Sequence, residues 1–230
     1  MPTLRTVVCI DGLNLFQSRL SGTCYKWLDL WALINLLMTD SQPTSMISQI
    51  QSVRFFTSPI MVSYATDPDS QRRQNVYHQA LEHGPSGQVE VIQGKHVLET
   101  KKGKLSDSND DRVARFSSLE EKQTDVNLAL SLYSAALDPE VDQVVLVSND
   151  SDFEPALERI RVERPEKRIG LILPLRDKKA GNRSAQSLVS RSTWARRLIH
   201  DHELKDSQLP GVIYRKSRRR WKSITRPSSW

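Results

Sequence analysis

Three stretches of the chain set carboxylates where chemistry could use them. Residues 148–153 read Ser-Asn-Asp-Ser-Asp-Phe, with Asp150 and Asp152 two apart. Asp11 directly follows Thr-Val-Val-Cys-Ile, and Asn14 lies three residues beyond it. Asp125 follows Glu121 by four residues, a spacing at which like charges on a helical turn repel and a cation would relieve them. Lys122 offsets part of that repulsion without any metal. Each aspartate can equally be a helix cap whose oxygen accepts from a free backbone N–H. Asn14 is either an ordinary first-turn residue or a hydrogen-bond partner that fixes the Asp11 rotamer. Taken singly, each residue leaves both readings open.

The elements around these residues favour a shared edge. Residues 144–147 (Val-Val-Leu-Val) form a continuous apolar run suited to a strand buried on both faces, and it ends in turn and cap residues. After Phe153, Ala156, Leu157 and Ile160 recur at helical spacing, with Pro155 in the first turn. Residues 6–10 repeat the pattern, a short buried strand, then Asp11-Gly12, then a helix start. Strands at 50–57 and 168–173 complete a set of four, alternating with helical stretches at 27–38, 67–83 and 120–137. That order predicts a parallel α/β sheet, in which ligands bind outside the carboxyl ends of the strands. Residues 89–98 read as one extended segment, 100–116 as an exposed charged loop, and 185–198 as an amphipathic helix around Leu188, Val189, Trp194 and Leu198. Asp107, Asp110 and Asp111 in the loop lack the glycine and terminal glutamate of an EF-hand.

Composition narrows the classes. The 230 residues suit one α/β domain with an appendage. No apolar run approaches the roughly 18 residues that span a membrane, and the first residues lack a signal-peptide core. Two cysteines make no disulfide framework, so a reducing, cytoplasmic setting is expected. Cys9, inside an apolar strand, reads as a core residue. The net charge is +6, yet residues 211–230 hold seven cations and no acid, and the rest of the chain stands at −1. Arg215, Lys216, Arg218, Arg219, Arg220 and Lys222 flank Trp221, a pattern suited to an arm for phosphate-rich partners or to a solvated basic end. Arg72 and Arg73 near the start of one helix, and Lys101 and Lys102 in the loop, are further candidates for RNA contact.

Together, Asp11-Gly12-Leu13-Asn14, Lys122-Gln123-Thr124-Asp125-Val126 and Ser148–Phe153 resemble the signatures of the NYN domain, a PIN-like nuclease family, most closely its LabA-like branch. Those signatures are an Asp-x-x-Asn after the first strand, a Lys-Gly-Val-Asp-Val helix start and a Ser-Gly-Asp-Ser-Asp-Phe strand end. The resemblance covers residues 5–200. It implies a three-layer α/β/α domain over residues 1–200, with a mainly parallel central sheet and a basic C-terminal extension at 201–230. It also implies that Asp11, Asp125, Asp150 and Asp152 hold Mg²⁺ or Mn²⁺ for RNA hydrolysis, with Asn14 as the orienting polar residue. Hard divalent cations prefer carboxylate oxygen, and no His or Cys cluster offers a competing zinc site.

Gln123-Thr124 replaces the family's Gly-Val, and Ser192-Thr193-Trp194 stands where an Ala-Asp commonly precedes an aromatic. The leading expectation is a metal-dependent endoribonuclease acting on single-stranded or loop RNA. A catalytically weak RNA-binding or regulatory module is the alternative, and a tail that docks a protein partner is a third. A homo-oligomer stays open, and no membrane partner is expected.

Overall fold

The computed structural model describes residues 3–41, 46–104, 113–176, 183–217, 220–228 and 230. Strands β1 (Thr3–Asp11), β2 (Ile47–Thr57) and β3 (Val89–Gln93) form one half of a sheet. Strands β4 (Lys95–Lys104) and β5 (Val113–Lys122) leave it as an antiparallel hairpin. The other half is β6 (Gln143–Val147), β7 (Arg168–Ile172) and β8 (Trp194–Arg196). The six sheet strands run β3-β2-β1-β6-β7-β8, every pair parallel.

Burial on both faces follows from the pleat. Val8, Ile10, Val145 and Val147 enter one core, and their neighbours Val7, Cys9, Val144 and Leu146 enter the other. Helices α2 (Leu30–Ser41) and α3 (Ser70–Glu82) cover the first face through Leu33, Ile34, Leu37, Tyr77 and Leu81. Helices α4 (Thr124–Leu137), α5 (Glu154–Glu163) and α6 (Arg183–Arg191) cover the second through Leu128, Leu132, Leu157, Ile160 and Leu188. A short helix, α1 (Gly12–Leu15), and a π-helical turn at Phe16–Leu20 follow β1. The layering is α/β/α, as expected.

The chain leaves β1 toward β2 on one side, while β6 joins it on the other. The gap between the ends of β1 and β6 is therefore the topological switch point where such sheets open a crevice. Asp11 is the last residue of β1, and Ser148 directly follows β6.

Three expected elements are corrected. Residues 185–198 are not one helix: α6 ends at Arg191, and β8 adds an edge strand, with Thr193 N–H donating to Ile169 O at 2.7 Å. Gly170 permits this arrangement, because a Cβ there would lie 2.3 Å from the Trp194 ring. Residues 89–98 split at Gly94 into β3 and β4. Residues 100–116 are not a loop where described. They belong to the β4–β5 hairpin, tied by Lys101–Glu120 and by Lys122 to Glu120 (2.5 Å) and Glu99 (3.6 Å). Asp107, Asp110 and Asp111 lie outside the described residues.

The basic C-terminal segment is docked on the domain. It comprises α7 (Asp201–Asp206) and the hairpin β9 (Val212–Ser217) and β10 (Arg220–Thr225). Ile213 and Ile224 pair across the hairpin and enter the α2/α3 core. Trp230 packs against Tyr77 and Trp27, with centroids 5.5 and 6.3 Å away. Arg19 is 1% exposed; its Nε donates to Ile199 O at 2.7 Å and its guanidinium pairs with Asp201. No helix among the described residues is long and apolar enough to cross a membrane.

Candidate active site at the switch point

Asp11 is held in place before any ligand arrives. It is 4% exposed, its Oδ1 accepts from Asn14 N–H at 3.0 Å, and its Oδ2 accepts from the Ser148 hydroxyl at 2.9 Å. Burial raises its pKa, the two hydrogen bonds oppose that rise, and the Asp150 and Glu121 carboxylates add to it. Asp11 is thus both the N-cap of α1 and a member of the site, so the two readings of this residue coexist. Gly12 must be glycine here, since a Cβ would come within 2.6 Å of Phe56 O.

Asn14 ties the two sides of the switch point together. Its Nδ2 donates to Asn149 Oδ1 at 2.6 Å, and its Oδ1 accepts from Asn149 N–H at 3.1 Å. Asn14 does hydrogen-bond Asp11, but through its backbone N–H, and its side-chain amide orients the β6 turn. Ser148 adds a second tie, because its Oγ also accepts from Asp150 N–H at 3.1 Å. Asp150 caps the turn Ser151–Phe153, with Oδ1 accepting from Asp152 N–H at 3.0 Å. Ser148 and Asn149 are site residues that motif reading passed over, although both sit inside the quoted Ser-Asn-Asp string.

Asp125 arrives from the opposite side, in the first turn of α4. Partial desolvation first, and then the charges of Asp11, Glu121, Asp150 and Asp152 in that order, together push its pKa up to about 6. Five carboxylates therefore feel one another. Glu121 joins by a route different from a helical turn. It is the penultimate residue of β5, and its Oε1 accepts from Thr124 N–H at 3.2 Å and from the Thr124 hydroxyl. Glu121, not Thr124, supplies the side-chain cap of α4. Between them Gln123 takes a left-handed backbone (φ 79°), the conformation that the family's glycine adopts without strain. The substitution at this position leaves the turn before Asp125 in place.

The donors suit a hard divalent cation, since all are carboxylate oxygens and their repulsion would be relieved by one. Among the described residues, no three His, Cys, Asp or Glu side chains stand close enough together to ligate a single ion. Ligation would require side chains to turn inward, which the exposed Asp125 and Asp152 have room to do. Cys9 takes no part: burial pushes its thiol up to about 12.

The candidate RNA contacts fall elsewhere. Arg73 pairs with Asp67, and Arg72 lies 3.5 Å from Asp69, so both are engaged at the start of α3. Lys101 is paired with Glu120, while Lys102 is exposed. On the C-terminal hairpin, Lys216 pairs opposite Trp221 and Arg215 opposite Lys222. Trp221 and Tyr214 are 70% and 68% exposed beside Lys216 on the outer face. Arg220 is exposed at the start of β10; Arg218 and Arg219 lie outside the described residues. Arg215 Nη1 lies 3.3 Å from His83 Nε2, just past the end of α3. The opposite end of α3 faces Ser58 and Ile60 through Gln74 and Gln71. About 20 Å of helix, at 1.5 Å per residue, thus separates the hairpin from the carboxyl edge.

The chain has relatives among known proteins. The chain is 36% identical over 244 residues to the 6-hydroxy-3-succinoylpyridine 3-monooxygenase HspA of Pseudomonas putida (strain DSM 28022 / S16), a match covering 99% of this chain and 75% of that protein. A crystal structure of a protein of unknown function, VPA0982 from Vibrio parahaemolyticus RIMD 2210633, is similar with a TM-score of 0.47 and 17% identity, covering 90% of this chain and 96% of that one. The model of the NYN domain matches residues 5–190. The chain belongs to the NYN domain family, a family of nuclease-like fold.

Proposed function

We propose that the protein is an endoribonuclease that hydrolyses single-stranded or loop RNA with Mg²⁺ or Mn²⁺ held at the switch point. The observation that supports this reading best is the meeting of Asp11, Asp125, Asp150 and Asp152, with Glu121, at the ends of β1 and β6. Asp11, Asp125, Asp150 and Asp152 would hold the cation. When bound, it would lower the pKa of a coordinated water and neutralise charge developing on the phosphoryl oxygens. Asn14 and Asn149 tie the ends of the two strands together, which fixes the backbone that carries Asp11 and Asp150. The hairpin cations Lys216, Arg220 and Lys222, with Trp221, would hold the strand away from the cutting edge.

Incubation of mixed RNA with the protein, with and without EDTA, tests the reading against the Asp150→Asn variant. Metal-dependent cleavage leaving 5′-phosphates, lost in the variant, is expected. Cleavage that survives EDTA, or that yields 2′,3′-cyclic phosphate, defeats it.

A second reading comes from the 36% identical relative, whose name gives it a pyridine monooxygenase activity. On this reading the chain inserts one atom of O₂ into a hydroxypyridine and reduces the other to water with two electrons from an external reductant. Oxygen uptake that depends on a hydroxypyridine and a reductant would favour it, and no uptake would remove it.

A further inference from the structure

A cavity of about 380 Å³ opens beside the acidic edge, on the α2/α3 side of the sheet. It begins at Gly12, the residue after Asp11, and runs between the ends of β1 and β2, the Ser58–Ile60 segment and the β4–β5 hairpin. Its wall is aromatic, built from Phe16, Phe55, Tyr64, Tyr77 and Trp230. Its mouth is apolar as well: Leu13, Phe16, Met61 and Tyr64 border it while 46%, 42%, 37% and 53% exposed. Four large apolar side chains left in water around one opening mark a binding surface rather than scattered exposure. An apolar cavity of about 150 Å³ already accepts benzene, so this one has room for a ring and a short substituent.

Lys26, His78 and His96 are among the polar side chains that border this apolar space. Lys26 has no ion-pair partner among the described residues. His96, on β4, buries its Nδ1 with no hydrogen-bond partner. A buried polar atom left unpaired is costly and uncommon, and a half-turn of the ring exchanges Nδ1 with Cδ2 without breaking any bond. His78 is neutral, held down to about 4 by burial. Its Nδ1 lies 3.2 Å from Gln93 Nε2, which can only donate, so the ring proton sits on Nε2.

We infer that this cavity binds a small planar heteroaromatic acid, its ring among Phe55, Tyr64 and Tyr77, its polar edge at His96 and its carboxylate at Lys26. The ring faces offer stacking and edge contacts, the unpaired imidazole supplies the directional bond, and the unpaired ammonium supplies the countercharge. The site is assigned from the cavity and the pyridine ring of the probe from the second reading above, so loss of that reaction with binding intact leaves the site standing.

Calorimetric titration with 6-hydroxynicotinate, with its uncharged amide, and with a uridine trinucleotide tests it. The acid should bind the wild-type protein about tenfold more tightly than the amide. Lys26→Met should abolish that preference and leave amide binding unchanged, while His96→Phe should weaken both ligands about tenfold. Should His96→Phe lower the melting temperature, Met61→Trp at the exposed mouth serves instead, and it should weaken both by narrowing the entrance. Equal binding of acid and amide, or a preference that survives Lys26→Met, overturns the inference. Tighter, competing binding of the trinucleotide overturns it too, since the cavity would then hold a base of an RNA strand.

Discussion

Asn14 and Asn149 exchange two hydrogen bonds, of 2.6 and 3.1 Å, across 135 residues of sequence, and so tie the end of β1 to the end of β6. The tie holds Asp11 and Asp150 at a fixed separation in spite of their mutual repulsion. Asn14→Ala removes one amide and leaves Asn149 N–H without its acceptor. The expected cost is about 1–3 kcal/mol of stability, with turnover falling more than melting temperature alone explains. Asn14→Asp restores the acceptor for Asn149 N–H but adds a sixth carboxylate, so it should recover less stability at pH 7 than at pH 5. Equal melting temperatures for wild type and Asn14→Ala would show that the clamp contributes no stability.

Gln123 adopts φ 79° with a side chain attached, a conformation that costs an L-residue about 1–2 kcal/mol and a glycine almost nothing. Gln123→Gly should therefore stabilise the protein by about 1 kcal/mol and raise the melting temperature by about 2–4 °C for a chain of this size. Gln123→Val should lower it. A glycine variant no more stable than wild type would mean that the side chain makes compensating contacts.

The carboxylate cluster gives stability a definite pH slope. Asp125 in the folded protein is raised from 3.8 to about 6, and Asp11 is raised as well, so the native state holds these protons more tightly than the unfolded chain. Their contribution is fully present below the ordinary carboxylate range and is lost as pH rises through about 6. His78 works in the opposite sense, because its folded value of about 4 removes stability as pH falls from 6.5. The cluster's part is isolated by difference: Asp125→Asn should melt higher than wild type at pH 7 and by a smaller margin at pH 4. Mg²⁺ or Mn²⁺ should raise the wild-type melting temperature at pH 7, by about 2.7 kcal/mol of stability at one hundred times its dissociation constant. Asp11→Asn should shrink that shift. If the cations leave wild type and Asp11→Asn unmoved alike, the carboxylates do not form a cation site.

What could be read from the chain and what could not has a physical pattern. Residues 144–147 announced a strand because both faces are buried and every position is apolar. Asp11 and Asp150 could be placed beside one another because each follows such an apolar run, whereas Asp125 could be placed only in the first turn of a helix. The edge strand β8 was not, since three half-buried residues leave no period, and its place depends on Gly170 admitting the Trp194 ring. The β4–β5 hairpin was misread as a loop because it projects from the core. Its stability comes from cross-strand pairs such as Lys101–Glu120, which resemble ordinary solvated charge in sequence. Glu121 entered the site through the turn at Gln123, a backbone feature that residue spacing does not carry.

The C-terminal hairpin calls for point substitutions rather than deletion, because removing residues 212–230 would strip Ile213, Ile224 and Trp230 from the core. Its outer face sets Lys216 beside Trp221, while Arg220 and Lys222 lie on the Ile224 side of β10 and are exposed at the hairpin end, so phosphates on either side of a base stacked on Trp221 could reach them. Each cation that neutralises a phosphate of single-stranded RNA contributes about −0.7 to the slope of log K against log salt. Replacing Lys216, Arg220 and Lys222 together by alanine should flatten that slope by about 2. Trp221→Ala should weaken binding by about 1–3 kcal/mol and leave the slope unchanged, since stacking releases no counterions. Neither change should alter cleavage of saturating RNA, because the hairpin lies a helix length from the carboxylates. The arm is ruled out if the triple variant binds RNA with the salt slope of the wild type.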